Sequence, residues 1–135
     1  MKKKILIVDD DEEICEELVE MLRAEGYAAD AVSDGLAGRR LIEKKPYHLI
    51  VLDLKIPTLT GIELLEFIRR KKPGLKVMVV TARSMGKKDL IQPGEAQSGA
   101  AAEQMLLKAA HAIVKKPFDI PAFLSRIRQL LKTAQ

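Results

Sequence analysis

Short runs of apolar residues alternate along this chain with segments whose apolar positions recur at helical spacing. Ile5-Leu6-Ile7-Val8 predicts a buried strand. Residues 11–25 place Ile14, Leu18, Met21 and Leu22 on one face, and Gly26 predicts the stop. Tyr27 to Val32 predicts a second, weaker strand. Residues 35–45 predict a helix carrying Leu36, Leu41 and Ile42, ended by Pro46. His48 to Leu52 predicts a third strand with Asp53 at its end. Pro57, Thr58, Thr60 and Gly61 mark a loop. Beyond it Ile62, Leu64, Leu65 and Ile68 form the apolar face of a helix closed by Pro73-Gly74. Val77 to Val80 predicts a fourth strand ending at Thr81, Ala112-Ile113-Val114 a short fifth, and residues 120–133 a last helix bearing Phe123, Leu124, Ile127, Leu130 and Leu131.

Nearly all-apolar strands alternating with helices predict an α/β fold, a doubly wound five-stranded parallel sheet covered on both faces. Right-handed crossovers then bring the C-terminal ends of all strands to one edge. Open sheets of this kind bind ligands at that edge, near the switch in strand order. Two short loops and a helix need roughly 15–24 residues, and residues 82–111 supply more. The segment between the fourth and fifth strands is therefore lengthened. Gln92-Pro93-Gly94-Glu95 and Ser98-Gly99 read as loop, and Ala100 to Ala110 as a displaced helix. No repeat or low-complexity tract divides the chain, so residues 1–135 read as a single domain.

A length of 135 residues, 47% apolar and 31% charged, is ordinary for one globular domain. With no Trp and few aromatics the core must be aliphatic. The single thiol, Cys15, falls beside Leu18, Val19 and Leu22 and reads as a core residue in a reducing compartment. No apolar run approaches the roughly 20 residues of a membrane span. The run behind Lys2-Lys3-Lys4 is too short for a secretory signal. A cytoplasmic protein without membrane contact is expected. A net charge of +4 would fit nucleic acid, but its distribution argues otherwise. Residues 9–20 hold eight acids and no base, and the Arg69-to-Lys72 run falls at a helix C-terminus, where cations suit the dipole. Direct nucleic-acid binding is not expected.

The polar residues that end the strands carry the chemistry. Strand one ends in Asp9-Asp10, strand three in Asp53, strand four in Thr81, strand five in Lys115-Lys116-Pro117. The topology brings three carboxylates, a hydroxyl and an ammonium to one edge. Crowded carboxylates call for a cation, and Mg²⁺ prefers one or two carboxylates, waters and phosphate oxygens. Asp53 can then act as a carboxylate nucleophile toward phosphorus, forming an acyl phosphate, with metal and lysine neutralising the equatorial oxygens.

Ile5-Leu6-Ile7-Val8-Asp9-Asp10-Asp11, Val51-Leu52-Asp53-Leu54-Lys55-Ile56-Pro57 with Gly61, Val79-Val80-Thr81-Ala82 and Lys116-Pro117-Phe118 resemble, in order over about residues 4–132, the response-regulator receiver family of two-component systems. The resemblance implies a flavodoxin-like (βα)5 fold and a phosphorylation-dependent switch. Asp53 would accept phosphate from a sensor histidine kinase or phosphotransfer protein and signal to a downstream effector protein. Asp10, Asp53 and the backbone carbonyl of Lys55 would bind Mg²⁺, with Asp9 acting through water. Thr81 and Lys116 would contact the phosphoryl group, and the Lys116-Pro117 bond would be cis. The only chemistry implied is the protein's own phosphoryl transfer and autodephosphorylation, tuned by Lys55 and Arg83.

The sequence also departs from the family. Ile113 stands where receivers carry an aromatic, Ala109-Ala110 replaces the usual Gly-Ala, and Thr60 replaces an acid but can still cap a helix. Ile113, stiff and apolar, is expected to stay packed, which would shift output toward residues 83–99. The alternatives are a pseudo-receiver that binds partners without phosphorylation, and a haloacid-dehalogenase-type phosphatase. The latter needs a second acid two residues after its nucleophile, where this chain has Lys55.

Overall fold

A computed structural model describes residues 2–81 and 110–132. The predicted segment 83–99, Arg83, and the helix expected over residues 100–110, apart from Ala110, lie outside the described residues. Five parallel strands run β1 (Lys4–Val8), β2 (Ala28–Val32), β3 (Leu49–Asp53), β4 (Lys76–Thr81) and β5 (Ala112–Lys115), in the order β2-β1-β3-β4-β5. The described helices are α1 (Glu12–Ala24), α2 (Gly35–Lys44), α3 (Gly61–Lys71) and α4 (Ile120–Lys132).

The period of two along each strand divides the core into two layers. Ile5, Ile7, Leu49, Val51, Met78 and Val80 face one side, where Cys15, Leu18 and Leu22 of α1 meet Phe123, Ile127 and Leu131 of α4. Leu6, Val8, Ile50, Leu52, Val77 and Val79 face the other, against Ile42 of α2 and Leu64, Leu65 and Ile68 of α3. Burial on both faces explains why β1, β3 and β4 read as unbroken apolar runs. β2, at the sheet's edge, is shorter of large apolar residues. Its Asp30 receives the Tyr47 hydroxyl at 2.6 Å, and Arg23 donates to the Ala29 carbonyl at 2.8 Å.

Local chemistry sets the boundaries. Asp11 caps α1 by accepting from the backbone of Glu13 and Ile14. Thr60 and Glu63 form a reciprocal capping box on α3. Gly26, at φ +95°, ends α1 with Gly26 N–H donating to Arg23 O and Tyr27 N–H to Leu22 O. Tyr27 therefore closes the helix, and β2 opens one residue later than the sequence pattern predicts. Leu36 also corrects the pattern: it is exposed, and Gly35, Gly38 and Ile42 form the buried face of α2.

Both histidines do the same thing on the N-terminal edge of the sheet. Nδ1 of His48, just before β3, accepts the backbone N–H of Lys4 at 2.9 Å. Nδ1 of His111, just before β5, accepts that of Val77 at 3.1 Å. An acceptor nitrogen must be unprotonated. Burial, then Lys3 and Lys4, lowers the pKa of His48; burial, then Lys76, lowers that of His111. For a lowered folded pKa the stabilisation is present above the unfolded value near 6.5 and lost as pH falls through the folded value. Each bond contributes on the order of 1 kcal/mol. Urea midpoints at pH about 7.5 and about 5 should therefore separate in the parent by more than in His48→Asn/His111→Asn, whose amide oxygens accept at both pH values. Equal separations would remove the histidines from the acid sensitivity.

Candidate functional site

The chain passes from β1 outward to β2 and returns across β1 to β3, so the strand order reverses between β1 and β3. The strand-end acids surround this crevice. Asp9 extends the β1–β2 ladder by donating its N–H to Val32 O at 3.1 Å, and is 3% exposed. Asp53 ends β3 and is 8% exposed. Asp10 is exposed at the mouth. One carboxylate oxygen from each of Asp9, Asp10 and Asp53 lies within 4.8 Å of the others. Thr81, buried, ends β4 and accepts the N–H of Lys116 on its carbonyl at 2.7 Å. The Lys116-Pro117 bond is cis. Sequence-predicted Asp9, Asp10, Asp53, Thr81 and Lys116 thus all stand on one edge, and Lys55 follows directly on the β3–α3 loop.

Lys116 is the one cation within bonding reach of the acids among the described residues. Its Nζ donates to Asp9 Oδ2 at 2.8 Å and lies 3.5 Å from Asp53 Oδ2. Burial opposes its charge, but the hydrogen bond to Asp9 and the two carboxylates outweigh this and raise its pKa. Burial chiefly, with the Asp9 charge, raises the pKa of Asp53 against the lowering effects of the Lys55 amide and Lys116. Asp53 Oδ1 accepts the Lys55 N–H at 3.1 Å, turning the loop sharply after the strand. Asp9 Oδ1 accepts the Asp11 N–H at 2.9 Å. Both oxygens of Asp9 thus already accept a hydrogen bond, one from Lys116 and one from the Asp11 backbone.

Beneath Asp9 lies a contact that the sequence pattern does not predict. Cys15 Sγ donates to the Asp9 carbonyl at 3.2 Å. Burial first, then Asp9 and Asp11, pushes this thiol up to about 11. It is a protonated donor in the core, not a reactive thiolate. The i-to-i+6 separation across a strand end and a helix start gives no periodic signal.

Three carboxylates facing one ammonium leave an excess of negative charge and hard oxygen donors. That donor set fits a hard divalent cation such as Mg²⁺, not a soft metal.

Known proteins resemble this chain in sequence and fold. Residues 5–97 match the family model for the response regulator receiver domain. The chain is similar to the transcriptional regulatory protein BasR of Escherichia coli K12, 35% identical over 129 residues, covering 96% of this chain and 52% of that protein. It is similar to the response regulator ArlR of Staphylococcus epidermidis, 34% identical, covering 95% and 52%. The chain thus spans about half the length of these relatives. Among solved structures, the CheY-like receiver domain protein of Methanospirillum hungatei superposes with a TM-score of 0.80 at 28% identity, covering 99% of this chain and 97% of that one. Response regulator protein TrrA of Thermotoga maritima, in complex with Mg(2+)-BeF, superposes at 0.75 and 30% identity, covering 95% and 98%. On its match to the family model over most of its length and on its likeness to these relatives in sequence and fold, this chain belongs to the response regulator receiver domain family.

Proposed function

We propose that this domain is a phosphorylation switch in which Asp53 takes a phosphoryl group from the phosphohistidine of a sensor kinase or phosphotransfer protein, with Mg²⁺ held by Asp10, Asp53 and the Lys55 carbonyl. The observation that carries this reading is the convergence of Asp9, Asp10 and Asp53 on one point beside the Lys116 ammonium. Asp53 attacks phosphorus, the P–N bond breaks, and the imidazole leaves with the electron pair. A bound Mg²⁺ would offset charge on the transferring oxygens. Lys116, already 3.5 Å from Asp53, can follow the new charge from the carboxylate to the phosphoryl oxygens. The Thr81 hydroxyl is the neutral donor on the neighbouring strand. Exposed Lys55, two residues from Asp53, is long and cationic enough to hold a phosphate oxygen and obstruct the water that would hydrolyse the acyl phosphate. Residues 1–135 act here as a single domain that delivers the signal to an effector protein in the cytoplasm. Among the described residues no helix is long and apolar enough to cross a membrane.

The pseudo-receiver alternative loses ground because Asp9, Asp10, Asp53, Thr81 and Lys116 are all present at the strand-end edge. Ile113 is half-buried against the core layer of Leu6 and Val79. This packing supports an output that does not depend on a side chain swinging at that position. Incubation with a small phosphodonor tests the reading: phosphate uptake requires Mg²⁺ and stops with a chelator. The metal can also be read alone. At ten times Kd, Mg²⁺ stabilises by about 1.4 kcal/mol, or about 5 °C in Tm. Asp10→Ala should lose that increment while keeping its fold. An equal Mg²⁺ response in both proteins would place the ion elsewhere.

A further inference from the structure

The metal ligand proposed on Lys55 is a backbone carbonyl, so its aim depends on what holds the loop after β3. One end is fixed at Asp53, whose carboxylate accepts the Lys55 N–H at 3.1 Å. Ile56, next after Lys55, is buried. The far end is fixed by the start of α2. Gly35 N–H donates to the Pro57 carbonyl at 3.0 Å. Leu36 N–H donates to the Thr58 hydroxyl at 3.1 Å, and that hydroxyl donates to Asp34 Oδ1 at 3.0 Å. The same Asp34 oxygen accepts the Ala37 N–H at 2.9 Å, capping the helix. The first three N–H groups of α2, which have no partner within the helix, are thus taken by the loop and its clamp.

Thr58 stands at φ 71°, a region that a β-branched residue rarely enters. Such a conformation persists where surrounding bonds over-determine it. Here the two bonds of its hydroxyl and the Gly35–Pro57 bond do so.

We propose that Asp34 and Thr58 are positioning residues for the metal site: clamped to the N-terminus of α2, they fix the stretch between Asp53 and Pro57 and so aim the Lys55 carbonyl at the ion. The inference rests on the function proposed above. Neither residue touches metal or phosphate. They act as outer supports of a ligand, where a loss commonly weakens affinity by about 10-fold or more.

Calorimetric titration with Mg²⁺ tests this on the intact chain. Thr58→Ala removes the hydroxyl and both of its bonds; Asp34→Ala removes its acceptor. Both should weaken Mg²⁺ binding by about 10-fold. Thr58→Ser and Asp34→Asn keep the donor and acceptor and should bind as the parent does. Tyr47→Phe, which removes the bond to Asp30 outside this loop, serves as a destabilised control and should also keep parental affinity. Parental affinity in Thr58→Ala would overturn the clamp while leaving the proposed function standing. An equal loss in Tyr47→Phe would overturn it as well, since general loosening would then account for the effect. A parent that binds no Mg²⁺ would overturn the function and the clamp together.

Discussion

Asp53→Asn should fold and take up no phosphate. The amide keeps the shape of the carboxylate, and its oxygen can still accept the Lys55 N–H that now goes to Asp53 Oδ1 at 3.1 Å. What it loses is the nucleophile, since a neutral amide oxygen does not form a stable acyl phosphate. The parent, given a small phosphodonor and Mg²⁺, should gain the mass of one phosphoryl group; the variant should keep its own mass. The same substitution should stabilise the metal-free protein. Burial and the nearby Asp9 charge raise the folded pKa of Asp53. A carboxylate raised in this way costs the fold stability as pH rises from its ordinary value through the raised one. The advantage of Asn over Asp should therefore grow across that window, and Mg²⁺ should erase it by stabilising the parent alone. Labelling of the variant at the parental level would move the acceptor to another residue. An unlabelled parent would sink the switch itself.

Much of this site is legible in the amino-acid sequence, for a reason that particular residues make clear. β1, β3 and β4 are buried on both faces, so their apolar runs stop abruptly at the site crevice, and the polar residue that ends each run is Asp9, Asp53 or Thr81. Parallel topology then does the gathering, with no side-chain detail required. Side-chain detail is where the sequence falls silent. That Lys116 bonds more closely to Asp9 than to Asp53, 2.8 against 3.5 Å, depends on how an ammonium reaches across the sheet edge. Leu36 misleads because a helical apolar stripe counts large residues, while α2 packs through glycines. The Asp34–Thr58 clamp joins residues 24 positions apart, and the acceptor roles of His48 and His111 join positions 44 and 34 apart. None of these has a period. Residues 82–109, most of the lengthened segment between β4 and β5, lie outside what the structure describes.

Gly35→Ala should be among the most damaging single substitutions in the domain, although it adds one methyl group. A Cβ on Gly35 would sit 2.1 Å from the Leu59 carbonyl oxygen and 2.8 Å from its carbonyl carbon. Those are backbone atoms of the clamped loop, so no flexible side chain can give way. Either α2 or the loop must move, and either movement breaks the Gly35–Pro57 bond and strains Thr58. Overpacking of this kind costs about 3 kcal/mol. With a urea slope of about 1.5 kcal/mol/M, the midpoint should fall by about 2 M. Gly26 supplies the comparison. Its φ of +95° makes Ala conformationally unfavourable there, but a Cβ would meet nothing within 4 Å. Gly26→Ala should therefore cost only about 1 kcal/mol and leave Mg²⁺ affinity unchanged. Gly35→Ala should lose stability and Mg²⁺ affinity together, because the displaced loop carries the Lys55 carbonyl. If the two variants prove equally stable, the contact between α2 and the loop is looser than these distances imply. If Gly35→Ala loses stability yet binds Mg²⁺ as the parent does, the loop does not aim the metal ligand.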